Sequence, residues 1–341
     1  MDKVAAGARR ARRDLFNETG AKTGLAGALV EKDFWVCWTL RRLFALPRTR
    51  EHLIFKGGTS LSKVYGIIRR FSEDIDLTIG RELLGFSGER DPARITSRKK
   101  REQQTEAMMA ACSALVLGDL RRELGEAFAG ILGPAGPEKN WEITPDESDP
   151  DKQTLLFHYP ATADRVEYIK PAVSMEFGCR AEPWPTETAR IKPYAAEAFP
   201  KPFSDPECEV VVLTAERTFW EKATILHQEA HRPAEKPLPE QYSRHYHDLA
   251  QFARSERKAR ALADKELLRR VVEHKQAFFR VGWSQLNLAM PGTFRLQPPP
   301  ERVPELKADY QEMGVMMMGE APTFDEILET LRQLEAEINA L

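Results

Sequence analysis

An α+β fold with a mixed sheet, followed by a helical C-terminal domain, is what the order of elements in this 341-residue sequence predicts. Three observations carry that prediction. Strand-rich and helical patterns intermix over the first 213 residues, the run ECEVVVL (207–213) reads as a last strand, and the pattern after it is helical. The expected organisation is residues 1–213 as one domain and residues 214–341 as a helical second.

Taken in order, the first clear helical pattern spans Leu25–Leu46, with apolar Leu29, Phe34, Trp35, Trp38 and Leu43, and Pro47 stops it. HLIFK (His52–Lys56) reads as a short strand. Thr59 or Ser60 can cap a helix running to about Arg70, and Glu73–Ile79 reads as a second strand. A helical pattern over residues 91–132 ends at GPAGP (133–137). Strands are expected near Trp141–Thr144, Gln153–Tyr159 and Ala172–Gly178. The proline-rich segment Arg180–Asp205 is expected to be an extended connection, and a helix should follow the last strand over Ala215–His231.

Composition excludes several classes. Hydrophobic residues make up 42% and charged residues 30%, enough for a sizeable core and too ordered a balance for large-scale disorder. No run approaches a membrane span, and the N-terminal MDKVAAGARRARRDLF lacks the apolar stretch of a secretory signal, so a cytoplasmic protein with no membrane partner is expected. The four cysteines stand far apart with no Cys-x-x-Cys pair, which argues against a disulfide framework. Net charge is −2, but two clusters are basic, RRARR (Arg9–Arg13) and RKKR (Arg98–Arg101). Such runs are ordinarily solvated helix faces, and gain meaning if the site chemistry calls for a polyanion.

The stretch GGTSLSKVYGIIRRFSEDIDLTIG (Gly57–Gly80) holds the chemistry. On a strand, Asp74 and Asp76 share one face while Ile75, Leu77 and Ile79 line the other, which places the aspartate Cβ atoms roughly 7 Å apart. Two carboxylates so close repel unless a proton or cation lies between them, and Mg²⁺ (or Mn²⁺) takes carboxylate oxygens while keeping places for waters and phosphates. Gly57-Gly58 lies between a strand and a helix start, where backbone N–H groups favour phosphate, and Thr59 and Ser60 add hydroxyls. A phosphate cradle beside a two-carboxylate metal site is the equipment for nucleotidyl transfer. Lys56, Lys63, Arg69 and Arg70 lie within reach of such phosphates, though a strand–helix unit usually carries such charges for solubility.

Gly57-Gly58-Thr59-Ser60-Leu61, followed by Arg70-Phe71-Ser72-Glu73-Asp74-Ile75-Asp76-Leu77, resembles the AbiEii/AbiGii (MenT-like) nucleotidyltransferase toxin family of the DNA polymerase beta-like nucleotidyltransferase superfamily. Glu31-Lys32-Asp33-Phe34-Trp35-Val36 looks like the family's N-terminal helix. Glu216-Arg217-Thr218-Phe219-Trp220-Glu221-Lys222-Ala223 is similar to its lysine motif, and Ser243-Arg244-His245-Tyr246-His247-Asp248-Leu249 to its aspartate motif. The resemblance spans about Leu25 to Phe252. It implies a polymerase beta-like domain with the helical domain contributing to the site, Asp74 and Asp76 as metal ligands, Lys222 as the contact to a nucleoside triphosphate (NTP), and Asp248 as a further essential residue. Glu176, in VSMEFG (173–178), is the candidate third metal carboxylate.

The same resemblance implies transfer of a nucleoside monophosphate from the NTP to an RNA acceptor, the tRNA 3′ end, with translation blocked, and a cognate antitoxin. The basic clusters fit an RNA acceptor. Alternatives are a protein or small-molecule acceptor for the same chemistry, or a catalytically silent binding module; the presence of Asp74, Asp76 and Lys222 together argues against silence. A competing metal reading uses His227 and His231, one helical turn apart, with His245 and His247 following, but Glu229 is misplaced for a zinc protease helix.

Overall fold

The computed structural model describes residues 1–72, 74–164 and 170–341. They fold as two compact units, Met1–Val64 with Phe71–Val212, and Tyr65–Arg70 with Leu213–Leu341. The class is α+β with a mixed sheet, as expected.

In the first unit, helices α1 (Asp2–Ala5), α2 (Arg9–Thr23) and α3 (Gly27–Leu43) precede β1 (Leu53–Lys56), α4 (Gly57–Lys63) and β2 (Asp74–Ile79). Then come α5 (Arg98–Leu115), α6 (Arg121–Leu132), β3 (Glu142–Pro145), β4 (Thr154–His158), β5 (Ala172–Gly178), β6 (Thr186–Ile191), α7 (Tyr194–Ala198) and β7 (Cys208–Leu213). The strands form one sheet in the order β3-β4-β5-β2-β1-β7-β6. β2 is antiparallel to β1 and parallel to β5, β7 joins β1 in parallel, and β3, β4 and β5 are successively antiparallel.

Register turns the alternation of each strand into rows across the sheet. Val212, Phe55, Leu77 and Phe177 stand side by side, with Ile75, Met175 and Leu155 in the next row on the same face, all buried. Helix α3 covers that face: the rings of Trp35 and Trp38 lie 5.7 and 5.8 Å from Phe157 of β4, and Phe128 of α6 lies 4.7 Å from it. The opposite face carries a polar row, Lys56, Asp76, Glu176 and Thr154.

Three elements differ from expectation. The helix at the glycine pair starts at Gly57, with Lys56 at its N-cap and Thr59 and Ser60 inside its first turn rather than capping it, and it ends at Lys63 rather than near Arg70, because Gly66 takes φ +60° and turns the chain out of the helix. Strand β6 and the short helix α7 form inside the segment expected to be a plain connection; β6 is a mostly exposed edge strand whose polar TETARI shows no apolar signal.

In the second unit, α8 (Ala215–Glu229), α9 (Ser243–Ala253), α10 (Lys258–Ala263), α11 (Lys265–Phe278), α12 (Val303–Glu312) and α13 (Phe324–Asn339) form the helical part. Phe219 of α8 and Phe252 of α9 pack with centroids 4.9 Å apart, and Trp220 Nε1 donates to the Ala261 carbonyl at 3.1 Å. Thr323 and Glu326 close a capping box at the start of α13. Among the described residues, no helix is long and apolar enough to cross a membrane.

Candidate active site

β2 delivers Asp74 and Asp76 to the polar face, both half-buried, because Ile75, Leu77 and Ile79 are locked into the core on the other. In the parallel pairing Asp76 lies beside Glu176 and Asp74 beside Ser174. The three predicted metal carboxylates therefore occupy one face of two adjacent strands, with Glu176 exposed. On the other flank of Asp76, Lys56 places Nζ 3.7 Å from its Oδ1. The position corresponding to Glu73 lies outside the described residues.

Gly57 explains why the motif needs glycine. Its φ is +79°, and a Cβ there would overlap Asp76 Oδ2 and stand 2.6 Å from Asp76 Cγ. The backbone of the turn thus presses directly on the carboxylate. Both hydroxyls of the motif are used internally: Thr59 Oγ1 donates to the Asp74 carbonyl at 2.5 Å and Ser60 Oγ to the Gly57 carbonyl at 2.8 Å. Their side chains tie the turn to β2, and what remains for an anion is the backbone N–H groups at the start of α4, including those of Gly57 and Gly58, which have no intrahelical acceptor.

Sequence reasoning gave Lys63 to solubility, whereas the structure buries it. Its Nζ lies 2.7 Å from Asp33 Oδ1 and 3.7 Å from the Tyr194 ring centre, and Asp33 Oδ2 accepts from the Tyr194 N–H at 2.7 Å. Burial alone would weaken the Lys63 ammonium, but the Asp33 carboxylate outweighs it and raises the pKa, while burial pushes the Asp33 carboxyl up against the pull of Lys63. Asp33 thereby fixes α4, and with it the glycine turn, to α3. Two positions earlier, Glu31 accepts from the N–H and hydroxyl of Thr162 at 2.9 and 2.8 Å and from the Ala163 N–H at 2.8 Å.

The lysine and aspartate motifs meet in the second unit. Asp248, fully buried, accepts two hydrogen bonds from Arg70, Nε to Oδ1 at 2.7 Å and Nη2 to Oδ2 at 2.8 Å, and Lys222 Nζ lies 2.8 Å from Oδ2. Burial would raise the Asp248 carboxyl, but Arg70 and Lys222 hold it well below the carboxylate range. His245 is kept neutral by burial and by Lys222, so its Nδ1, 3.5 Å from Lys222 Nζ, acts as an acceptor. Arg70 was the residue missed, assigned to solubility; the signal was its place beside Ile67, Ile68 and Phe71, which are all buried.

His227 of α8 and His231, just past its end, are occupied otherwise. His227 Nδ1 accepts from the Arg295 N–H at 3.1 Å, which leaves Nε2 as the donor to the Gln285 carbonyl at 3.1 Å; His231 Nδ1 donates to the His227 carbonyl at 2.8 Å. His247 instead has Nδ1 3.2 Å from Asp248 Oδ1. No group of three or more His, Cys, Asp or Glu side chains among the described residues stands ready-closed around a metal. Mg²⁺ does not require one: it binds through one or two carboxylates and completes its shell with waters and substrate phosphates, so Asp74 and Asp76 fit it.

A family model, "Nucleotidyl transferase AbiEii toxin, Type IV TA system", matches residues 38–330. The chain belongs to the AbiEii nucleotidyltransferase toxin family. That match takes in the glycine turn, the aspartate strand and both helical motifs, so the chain is a nucleotidyltransferase toxin of a type IV toxin–antitoxin system, a class that implies a cognate antitoxin. MenT4, a nucleotidyltransferase toxin from Mycobacterium tuberculosis H37Rv, has a similar structure, with a TM-score of 0.53 and 18% identity over 96% of this chain and 90% of that one. At that identity the likeness concerns the fold, and it agrees with the AbiEii assignment. No curated protein matches the sequence.

Proposed function

We propose that this AbiEii-family chain transfers a nucleoside monophosphate from an NTP to the 3′ end of tRNA, blocking translation, with Asp74 and Asp76 holding Mg²⁺ or Mn²⁺ and Glu176 as a third carboxylate. The observation that carries the proposal is the polar row Lys56–Asp76–Glu176 with Gly57 pressed against Asp76. It supports a site in which acidic oxygens and phosphate-binding backbone converge.

A bound divalent cation would supply Lewis-acid polarisation of the phosphate and screening of the carboxylates. The protein's own groups do the rest. Backbone N–H groups of the Gly57-Gly58 turn receive phosphate oxygens, with Thr59 and Ser60 holding the turn on β2. Lys222 neutralises triphosphate charge, and Asp248, itself held by Arg70, orients the Lys222 ammonium. The acceptor hydroxyl oxygen attacks the α-phosphorus, the bond to the β-phosphate oxygen breaks, and pyrophosphate leaves; the hydroxyl proton passes to solvent or a neighbouring carboxylate.

The test is incubation with each labelled NTP, Mg²⁺ and total tRNA, comparing the native chain with Asp74→Ala. Label on RNA, reduced ~10²-fold or more in the variant, is the expected result. Label on protein would move the acceptor to a hydroxyl of a polypeptide. Absence of label in every fraction would leave a silent binding module.

A further inference from the structure

Away from the polar row, the first unit holds a cavity of about 230 Å³ at the start of α2, bordered by Arg9, Arg12, Lys139, Asn140 and Pro160. Arg12 is its anomaly. It is only 7% exposed, yet its Nη1 donates to the carbonyls of Ala5 (2.7 Å) and Gly7 (3.3 Å) and its Nη2 to that of Pro160 (2.9 Å), while Nε has no partner. Among the described residues, no carboxylate makes an ion pair with it. Glu31, the acid whose charge it feels, is committed to Thr162 and Ala163. The guanidinium is held by carbonyl dipoles and by the face of Trp35, 5.8 Å from its ring centre, so among the described residues it is a buried cation with no ion-paired acid.

The cavity rim adds to that charge. The side chains of Arg9 and Lys139 are exposed and, among the described residues, make no hydrogen bond or ion pair, with one acid, Glu138, beside them. By contrast Arg10 and Arg13, on the same helix, both face Asp14, at 3.7 and 3.9 Å. The basic run RRARR therefore divides: two arginines are neutralised along the helix, and two serve the cavity.

We infer that this cavity is an anion site that seats a backbone phosphate of the acceptor RNA, with Arg9 and Lys139 as its contacts and Arg12 as its buried floor. The inference rests on the RNA-acceptor reading and deepens it, by giving the polyanion a second foothold outside the carboxylate site. Each phosphate so held releases condensed counterions, so the contact appears in the salt dependence of binding.

The test uses the full chain and fluorescently labelled total tRNA without NTP, with anisotropy followed from 50 to 200 mM chloride. Because Arg12 is structural as well, the variant is Arg9→Gln with Lys139→Gln, and the control is Arg10→Gln with Arg13→Gln, both checked by thermal melting. The cavity variant should bind more weakly at low salt, with the log–log salt slope shallower by about 0.7–0.9 for the phosphate lost, while the control binds as wild type. Binding by the cavity variant indistinguishable from wild type, or an equal loss in the control, overturns the inference. So does stabilisation by inorganic phosphate that needs Arg9 and Lys139 while tRNA binding does not, which would assign the cavity to a free anion. If Asp74-dependent labelling of RNA persists alongside any of these results, only the cavity inference falls; if the wild-type chain neither binds nor labels RNA, the acceptor reading falls with it.

Discussion

At Asp248 one carboxylate answers two cations, Arg70 and Lys222, in a fully buried setting. Replacing it with Asn leaves both cations facing an amide, and breaking a buried pair in this way costs about 3–5 kcal/mol. Denaturant unfolding of Asp248→Asn should show that loss. His227 makes a prediction in pH. Burial pushes its pKa from the ordinary 6.5 down to about 4, so between those values the unfolded chain binds the extra proton and the folded one does not. The contribution of neutral His227 is complete above pH 6.5 and shrinks as pH falls toward 4, by on the order of 3 kcal/mol. Melting temperatures followed over that range should fall less steeply in His227→Gln. At this scale the sequence was only partly legible: Asp74 and Asp76 announced themselves by alternation, but the partners of Arg70, Lys63 and Arg12 come from distant segments, and no local pattern reveals an ion pair closed across such separations.

The element that decides the site is the β1–α4 turn. Gly57→Ala combines a strained backbone with a Cβ that collides with the Asp76 carboxylate, so it should lose transfer activity as severely as an aspartate variant. Gly66→Ala is the matched comparison: φ is +60° there, but nothing lies within 4 Å of the added Cβ. It should cost only about 1 kcal/mol of stability and leave activity in place. Equal inactivation of both variants in the labelled-NTP assay would mean that strain, not the close approach to Asp76, explains the glycine. Strands with an apolar face, β1, β2, β4, β5 and β7, were readable because a buried face writes its period into the sequence. β6 was not, since both sides of an exposed edge strand are free to be polar, and α4 looked longer than it is because the apolar spacing continues past Gly66 while the backbone does not.

For the whole molecule, the order of mixed sheet then helices followed from the distribution of patterns, while the division that sends Tyr65–Arg70 to the second unit did not, because a six-residue excursion carries no compositional mark. As a toxin of the AbiEii family, the chain expressed without its antitoxin should arrest growth, and Asp76→Asn should restore it to within the control rate. Underlying every functional statement is the claim that β2 holds a divalent cation for a nucleotide. Titration of the chain with Mn²⁺ in the presence of an NTP, read by the electron paramagnetic resonance signal of the free ion, tests it directly. The account predicts Mn²⁺ uptake by the wild type that disappears in folded Asp74→Asn, Asp76→Asn protein; undiminished uptake by that variant would contradict it.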